Sequence, residues 1–567
     1  MASRFRLSVT HAVCIVLAAI FWTQDAPAQD DGQRPVLRVA YFVPSDRQPL
    51  AKRVERLDRV MTEVQKFYRD GMVQNGYGPM TFQLDRNADS SLRIFQVNGL
   101  HPMRDYGRND GGKVRREVKE ALAREGLVMD RETVVIFQLL LEWRDGKAVE
   151  VGPYVGGGSI TSGTAWVYDD ERLDARLLGS KEPGGFYGRP CSVGEFNSHY
   201  IGGIAHELGH GLGLPHDCER NDERRAKGKS LMGGGNHTYG QERRNEGRGS
   251  FLSAASAMML SRHPLFTGRR PASQRDGPCK LSELQAAFES GRLRLDGRLE
   301  SQPPAFGVVA YNDDESITSD YDAVTWTGPV GKDGRFRLEI GQLKPGRFEL
   351  RLRACLEDGR SKVFRYAYTV DAASKPNTTP FIEDQLLQPA IAAYGAGDRA
   401  RLQTLIRGAQ SLAPTIQRKL KHLLTLLQPP RLVSPADVLA QQKTVSISQL
   451  SLESATVGWG QPLRDRVLTE GDGAPFLSVG DEFFESGLYA HVPARHVLRL
   501  GRKWKTFQSG YGLQDGHGGS VVFVVKGDGK ELFRSPLVRD VQRHDLRADV
   551  SGVDVLELLV EDGGDGA

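Results

Sequence analysis

The chain has 567 residues, with 75 basic against 71 acidic side chains and a formal net charge of +4. An apolar share of 39%, with 23 Phe, 16 Tyr and 6 Trp, gives mass for several cores, about three to five domains at this length. The surface charge is mixed and no long Lys/Arg run occurs, which excludes a nucleic-acid partner; 64 glycines exceed the usual share of about 7% and suit β-rich modules.

Residues 1–28 read as a signal peptide: Arg4 and Arg6, an apolar run from Ala12 to Trp22, then Ala26-Pro27-Ala28 before the cut. The apolar run has the length of a signal core, and no later run reaches the roughly 18 apolar residues of a span. The mature chain is therefore expected outside the cytoplasm, secreted or in the periplasm or envelope, with no stable membrane span. Four cysteines remain after cleavage, Cys191, Cys218, Cys279 and Cys355, and either disulfides or free buried thiols fit them. Cys191 and Cys218 flank a histidine cluster and are placed to staple it.

In chain order, residues 36–43 form a buried strand and 47–69 carry apolar residues at helical spacing (Leu50, Val54, Leu57, Val60, Met61, Val64, Phe67). A strand at 92–97, a helix at 113–124, a strand at 133–143, an edge strand at 164–168 and a helix at 198–211 follow, an α/β plan over 35–270. Short alternating strands separated by turns such as Lys332-Asp333-Gly334 make 285–375 an Ig-like all-β sandwich. A linker leads to a helical segment at 380–430, and 437–567 is β-like again. The middle segments read as spacers.

The chemistry lies at His206-Glu207-Leu208-Gly209-His210-Gly211-Leu212-Gly213-Leu214-Pro215-His216. His206 and His210 are four apart, so on a helix both imidazoles project from one face and reach one Zn²⁺. Glu207 sits where its carboxylate reaches the metal's open position, as general base and then general acid. A straight helix would carry residue 216 away; Gly213, free to take positive φ, breaks it, and Pro215 discourages its renewal, so His216 returns as third ligand.

This His-Glu-x-x-His-x-x-Gly-x-x-His spacing resembles the metzincin clan of zinc metallopeptidases. The resemblance implies a twisted mixed sheet above an active-site helix, zinc on His206, His210 and His216, Glu207 as general base, and an edge strand (164–168) that pairs with extended substrate. It also implies a methionine turn under the site, for which Ser230-Leu231-Met232-Gly233-Gly234-Gly235 and Met232 are the candidates. Two residues after Met232, where some members have tyrosine, stands Gly234; Tyr239 lies nearby without that role. Asp217 follows the third histidine as a supporting residue.

Residues from about 445 resemble the NPCBM domain, a β-sandwich of secreted glycan-directed enzymes. The segments that carry the resemblance include Ser486-Gly487-Leu488-Tyr489-Ala490-His491, Lys503-Trp504-Lys505-Thr506-Phe507 and Gly519-Ser520-Val521-Val522-Phe523. It implies carbohydrate binding, with Trp459, Tyr489, Trp504 and Tyr511 as stacking candidates. In that family a last strand usually follows the Gly-Asp-Gly; this sequence stops at Ala567, so the resemblance implies a truncated or incomplete domain.

The expected protein is a multidomain zinc endopeptidase: an α/β metzincin-like catalytic domain, an all-β sandwich, a short helical segment and a C-terminal β-sandwich. Its substrate is a protein or glycoprotein, with carbohydrate as a further partner. A glycan-binding adhesin with a vestigial peptidase domain and a zinc amidase of the cell wall are the competing readings.

Overall fold

The computed structural model describes residues 34–564, apart from 271–276, 316–319, 410–412, 439–442, 470–472, 481 and 516–517. The expected signal-peptide segment 1–28 lies outside the described residues.

The first unit is built on β1 (Leu37–Val43), α1 (Arg53–Gln74), β2 (Ile94–Asn98), α2 (Gly111–Arg124) and β3 (Thr133–Gln138). β1 and β3 are almost wholly buried because they pair in parallel in a sheet covered on both faces, which is why they read as continuous apolar runs. Two hairpins follow: β4 (Leu141–Arg144) with β5 (Lys147–Glu150), and β6 (Val155–Gly158) with β7 (Gly163–Tyr168). The sheet order is β2-β1-β3-β7-β6, parallel except for antiparallel β6. Residues 164–168 are thus an interior strand, not the expected edge. The edge is β6, whose Val-Gly-Gly-Gly sequence carries a single strand-forming side chain and so gives no strand signal.

A third hairpin, β8 (Pro183–Tyr187) with β9 (Arg189–Ser192), leads into α3 (Val193–Gly211). α3 is buried on nearly every face by Phe196, Tyr200, Ile201, Ile204, Ala205 and Leu208. The Ser192 hydroxyl caps its start, accepting from the Glu195 N–H at 3.0 Å. After α3 come α4 (Asn221–Lys227), β10 (Lys229–Ser230), β11 (Ser250–Phe251), α5 (Ala254–Leu260) and α6 (Pro264–Thr267).

Among the described residues the second unit has seven strands around one apolar core, in sheets β12-β13-β16 and β15-β14-β17-β18. These are β12 (Cys279–Glu289), β13 (Arg292–Ser301), β14 (Ala305–Asp314), β15 (Val324–Pro329), β16 (Arg335–Ile340), β17 (Gly346–Leu356) and β18 (Ser361–Val370). It does not stand off as a spacer. Ala255 and Met258 of α5 are buried with Val309, Tyr311, Ala323 and Cys355 of the sandwich, and Arg262 pairs with Glu357 at 2.7 Å. Helices α7 (Thr379–Gly395), α8 (Arg399–Gly408) and α9 (Pro414–Leu426) are held on both sides. Phe381 enters the sandwich core, and Leu387, Ile391, Leu420 and Leu423 share a cluster with Phe476 and Phe483. The C-terminal unit carries a five-stranded sheet in which Val555–Asp562 lies centrally, between Ala494–Arg499 and Val521–Gly527. The chain is therefore multidomain and strand-rich. All four described cysteines are free thiols, so no disulfide staples the histidine cluster.

Candidate metal centre and its surroundings

α3 ends in a Schellman motif. The Leu214 N–H bonds the Gly209 carbonyl at 3.0 Å, the Gly213 N–H bonds that of His210 at 2.9 Å, and Gly213 holds φ at 81°. This reversal brings His216 back to His206 and His210. The Nε2 atom of His210 lies 3.1 Å from that of His206 and 3.0 Å from that of His216. The far nitrogens fix two of the rings: His206 Nδ1–H donates to the Leu231 carbonyl at 2.7 Å, and His210 Nδ1–H to that of Leu214 at 2.9 Å. With Nδ1 carrying the proton, the Nε2 lone pairs of His206 and His210 face one another at a separation that a shared cation reconciles. Tetrahedral zinc at about 2.0–2.1 Å per bond sets its ligand nitrogens about 3.3 Å apart, so the donor set fits that ion. Burial, with the two neighbouring imidazoles, lowers the His206 pKa to about 3, keeping the ring neutral as a ligand must be.

Glu207 is 9% exposed. Burial pushes its carboxyl from the ordinary 4.5 up to about 7, while His216 and the Gly156 N–H pull it back down. That N–H comes from β6, which runs across α3 so closely that a Cβ at Gly156 would collide with the Glu207 carbonyl and His210 Cβ. Gly158 and Gly163 face the Gly211 carbonyl in the same way. The glycine run is therefore the contact between edge strand and helix. Gly156→Ala is expected to push β6 off α3 and destabilise the chain by about 1–3 kcal/mol. A denaturation midpoint equal to wild type would refute the close approach.

Met232 is fully buried beneath α3, its sulfur against Gly209. Its carbonyl accepts the Asp217 N–H at 3.3 Å, so this turn touches the ligand loop as well as His206 through Leu231. The Asp217 carboxylate is wholly buried and accepts hydrogen bonds from the hydroxyls of Ser230, Ser253 and Ser256. Tyr239 donates to Glu63 of α1 at 3.1 Å, as structural packing.

Sequence reasoning passed over three groups. His199 stacks on Tyr187 at 3.9 Å and faces His237, Nδ1 to Nδ1, at 3.3 Å. The signal was its spacing, seven residues before His206 on one helix face. Tyr154 sits under Gly203, its hydroxyl on the Tyr200 carbonyl at 3.0 Å, and burial raises its pKa well above the ordinary value. Tyr321, from the sandwich, stacks on His216 with ring centroids 3.6 Å apart.

Of the aromatic candidates in the C-terminal unit, Trp459 is 56% exposed, edge-on to His491 at 5.7 Å. Trp504 is packed against the core with Nε1 on the Pro435 carbonyl, Tyr511 is packed against Phe523 and Phe533, and Tyr489 is half-buried.

Residues 443–567 match the family model of the NPCBM/NEW2 domain. Among solved structures, wild-type OgpA from Akkermansia muciniphila is similar at 23% identity and TM-score 0.52, over 59% of this chain and 94% of OgpA. Catalytically inactive OgpA in complex with an O-glycopeptide (glycodrosocin) substrate matches at 23% identity and TM-score 0.51, over 59% of this chain and 93% of that one. At this identity the likeness is one of fold. No curated protein matches the chain.

Proposed function

We propose that this chain is an exported zinc-dependent endopeptidase of metzincin type that cleaves glycan-bearing proteins. The observation that carries the reading is the convergence of the His206, His210 and His216 Nε2 atoms beside a buried carboxyl, Glu207, under an edge strand. The three histidines hold zinc, which when bound supplies Lewis-acid polarisation of the scissile carbonyl and a water activated for attack. The chain's own residues do the rest. Glu207 takes the water's proton and passes it to the leaving amine. β6 offers its free edge to an extended peptide in the manner of β-augmentation, and Met232 with Asp217 holds the ligand loop in place. The glycan-bearing substrate is supported by the O-glycopeptide bound to OgpA, a protein of the same fold, and by the C-terminal NPCBM match with its exposed Trp459.

The test is cleavage of an O-glycopeptide, the same peptide without glycan, and peptidoglycan by the full chain, before and after chelation. The expected result is metal-dependent cleavage of the glycopeptide, lost with chelator and restored by zinc. Glycan binding without any cleavage would favour the adhesin, and cleavage of peptidoglycan alone the amidase.

A further inference from the structure

The sandwich reaches into the metal centre. Between β14 and β15 the chain turns through Asp320–Asp322 and lays Tyr321 over the histidines. Its ring stacks on His216 at 3.6 Å with an interplanar angle of 28°, lies parallel to His206 at 6.1 Å and 3°, and remains 45% exposed.

The turn is fastened to the ligand loop itself. The Cys218 N–H, two residues after His216, donates to the Ala323 carbonyl at 2.7 Å, and Cys218 bridges Val324 in parallel. Arg220 Nη1 donates to the Thr325 carbonyl at 3.1 Å. Ala323 is fully buried against α5 in the cluster that joins the two units. One face of Tyr321 is thus stacked on a candidate ligand while the side chain remains exposed to solvent beside the three histidines.

We infer that Tyr321 is a substrate-contacting residue of the cleft, supplied by the sandwich, whose solvent-exposed surface packs against a C–H-rich ring on the residue beside the scissile bond. The inference rests on the peptidase reading for the position of that bond. An aromatic face accepts the apolar face of a sugar or of an aromatic side chain. A ring already held by stacking loses little freedom on contact, so affinity is gained at small entropic cost.

The experiment uses the full chain in the Glu207→Gln background, where binding is read without turnover. Dissociation constants are measured for an O-glycopeptide, its unglycosylated counterpart, and a peptide with Phe in place of the glycosylated residue. Tyr321→Ala is expected to weaken binding about tenfold, with metal content and melting temperature unchanged. Tyr321→Phe, which keeps the ring, is expected to recover most of the loss. A deficit confined to the glycopeptide assigns the ring to sugar, and one confined to the Phe peptide assigns it to a side chain. Binding within twofold of the parent for all three ligands overturns the inference, as does loss of affinity accompanied by loss of metal. Failure of the peptidase reading shows separately, as wild-type chain that turns over neither glycopeptide nor peptide.

Discussion

Glu207→Gln is expected to lower kcat about 10²–10⁴-fold, the usual size of general base catalysis, with metal content at the wild-type level. Glutamine keeps the side chain's volume and can still accept the Gly156 N–H, so the helix and its three histidines are undisturbed. What is lost is a carboxylate that can take the proton of the attacking water, which the amide cannot. Because the base acts ionised, wild-type activity is expected to fall at acid pH, where the carboxyl takes up its proton. The same carboxyl leaves a signature in the metal-free chain. Its pKa is raised from 4.5 to about 7 in the folded state, so between those values the native chain binds more protons than the unfolded chain. Stability contributed by that proton is whole below pH 4.5 and is lost as pH rises through about 7. Glutamine carries no such slope. Metal-free Glu207→Gln is expected to match wild type at acid pH and to exceed it by up to about 3 kcal/mol above neutrality. Denaturation of both proteins across this range checks the sign. Unchanged hydrolysis of casein or mucin by the variant would sink the assigned role.

The centre was legible in the sequence because its ligands are local. Two histidines one turn apart, a glycine that must take positive φ and a third histidine three residues on define a reversal that eleven residues settle among themselves. Met232 was legible for a similar reason, lying a short distance downstream in a glycine-rich turn. The edge strand was not legible, because the closeness of β6 to α3 forbids the side chains by which strands are recognised. The sandwich's part was hidden for the opposite reason. Tyr321 and His216 are far apart in sequence, and what joins them is a backbone bond from Cys218 and a buried alanine, neither of which leaves a pattern. His199 falls inside the helix expected at 198–211, but its partners His237 and Tyr187 come from other parts of the chain, so its spacing from His206 alone assigned it nothing. In the C-terminal unit the aromatic residues could be counted but not sorted, since Trp459 and Trp504 differ in exposure and not in type.

Asp217→Ala is expected to be the most damaging substitution outside the histidines and Glu207. The carboxylate is wholly buried one residue after His216, with Ser253 Oγ at 2.5 Å, Ser256 Oγ at 3.0 Å and Ser230 Oγ also donating to it. The donors come from two parts of the site's support, β10 and the start of α5. Ser230 ends β10 and precedes Leu231, whose carbonyl orients His206. Ser253 caps α5, its oxygen accepting the Ser256 N–H at 3.1 Å, and α5 is the helix against which the sandwich packs. Alanine leaves three buried hydroxyls without their acceptor and opens a void among them. At about 1–3 kcal/mol for each orphaned group, partly relieved by relaxation, a loss of about 3–5 kcal/mol is expected. Metal affinity is expected to fall about 10–100-fold, as when an outer partner of a ligand is removed, because the third-ligand loop and the Met232 turn no longer share an anchor. Asp217→Asn keeps one acceptor oxygen and the volume, and the serine hydroxyls can rotate to accept from its amide, so it falls between wild type and alanine. Burial alone would raise the Asp217 carboxyl, and the hydroxyl bonds pull it back; the order Asp, Asn, Ala therefore separates the hydrogen bonds from the packing. Denaturation with and without zinc, beside a competition titration for the metal, measures both effects. Stability within about 1 kcal/mol of wild type for alanine would mean that the three serines find other partners and that Asp217 is not the anchor.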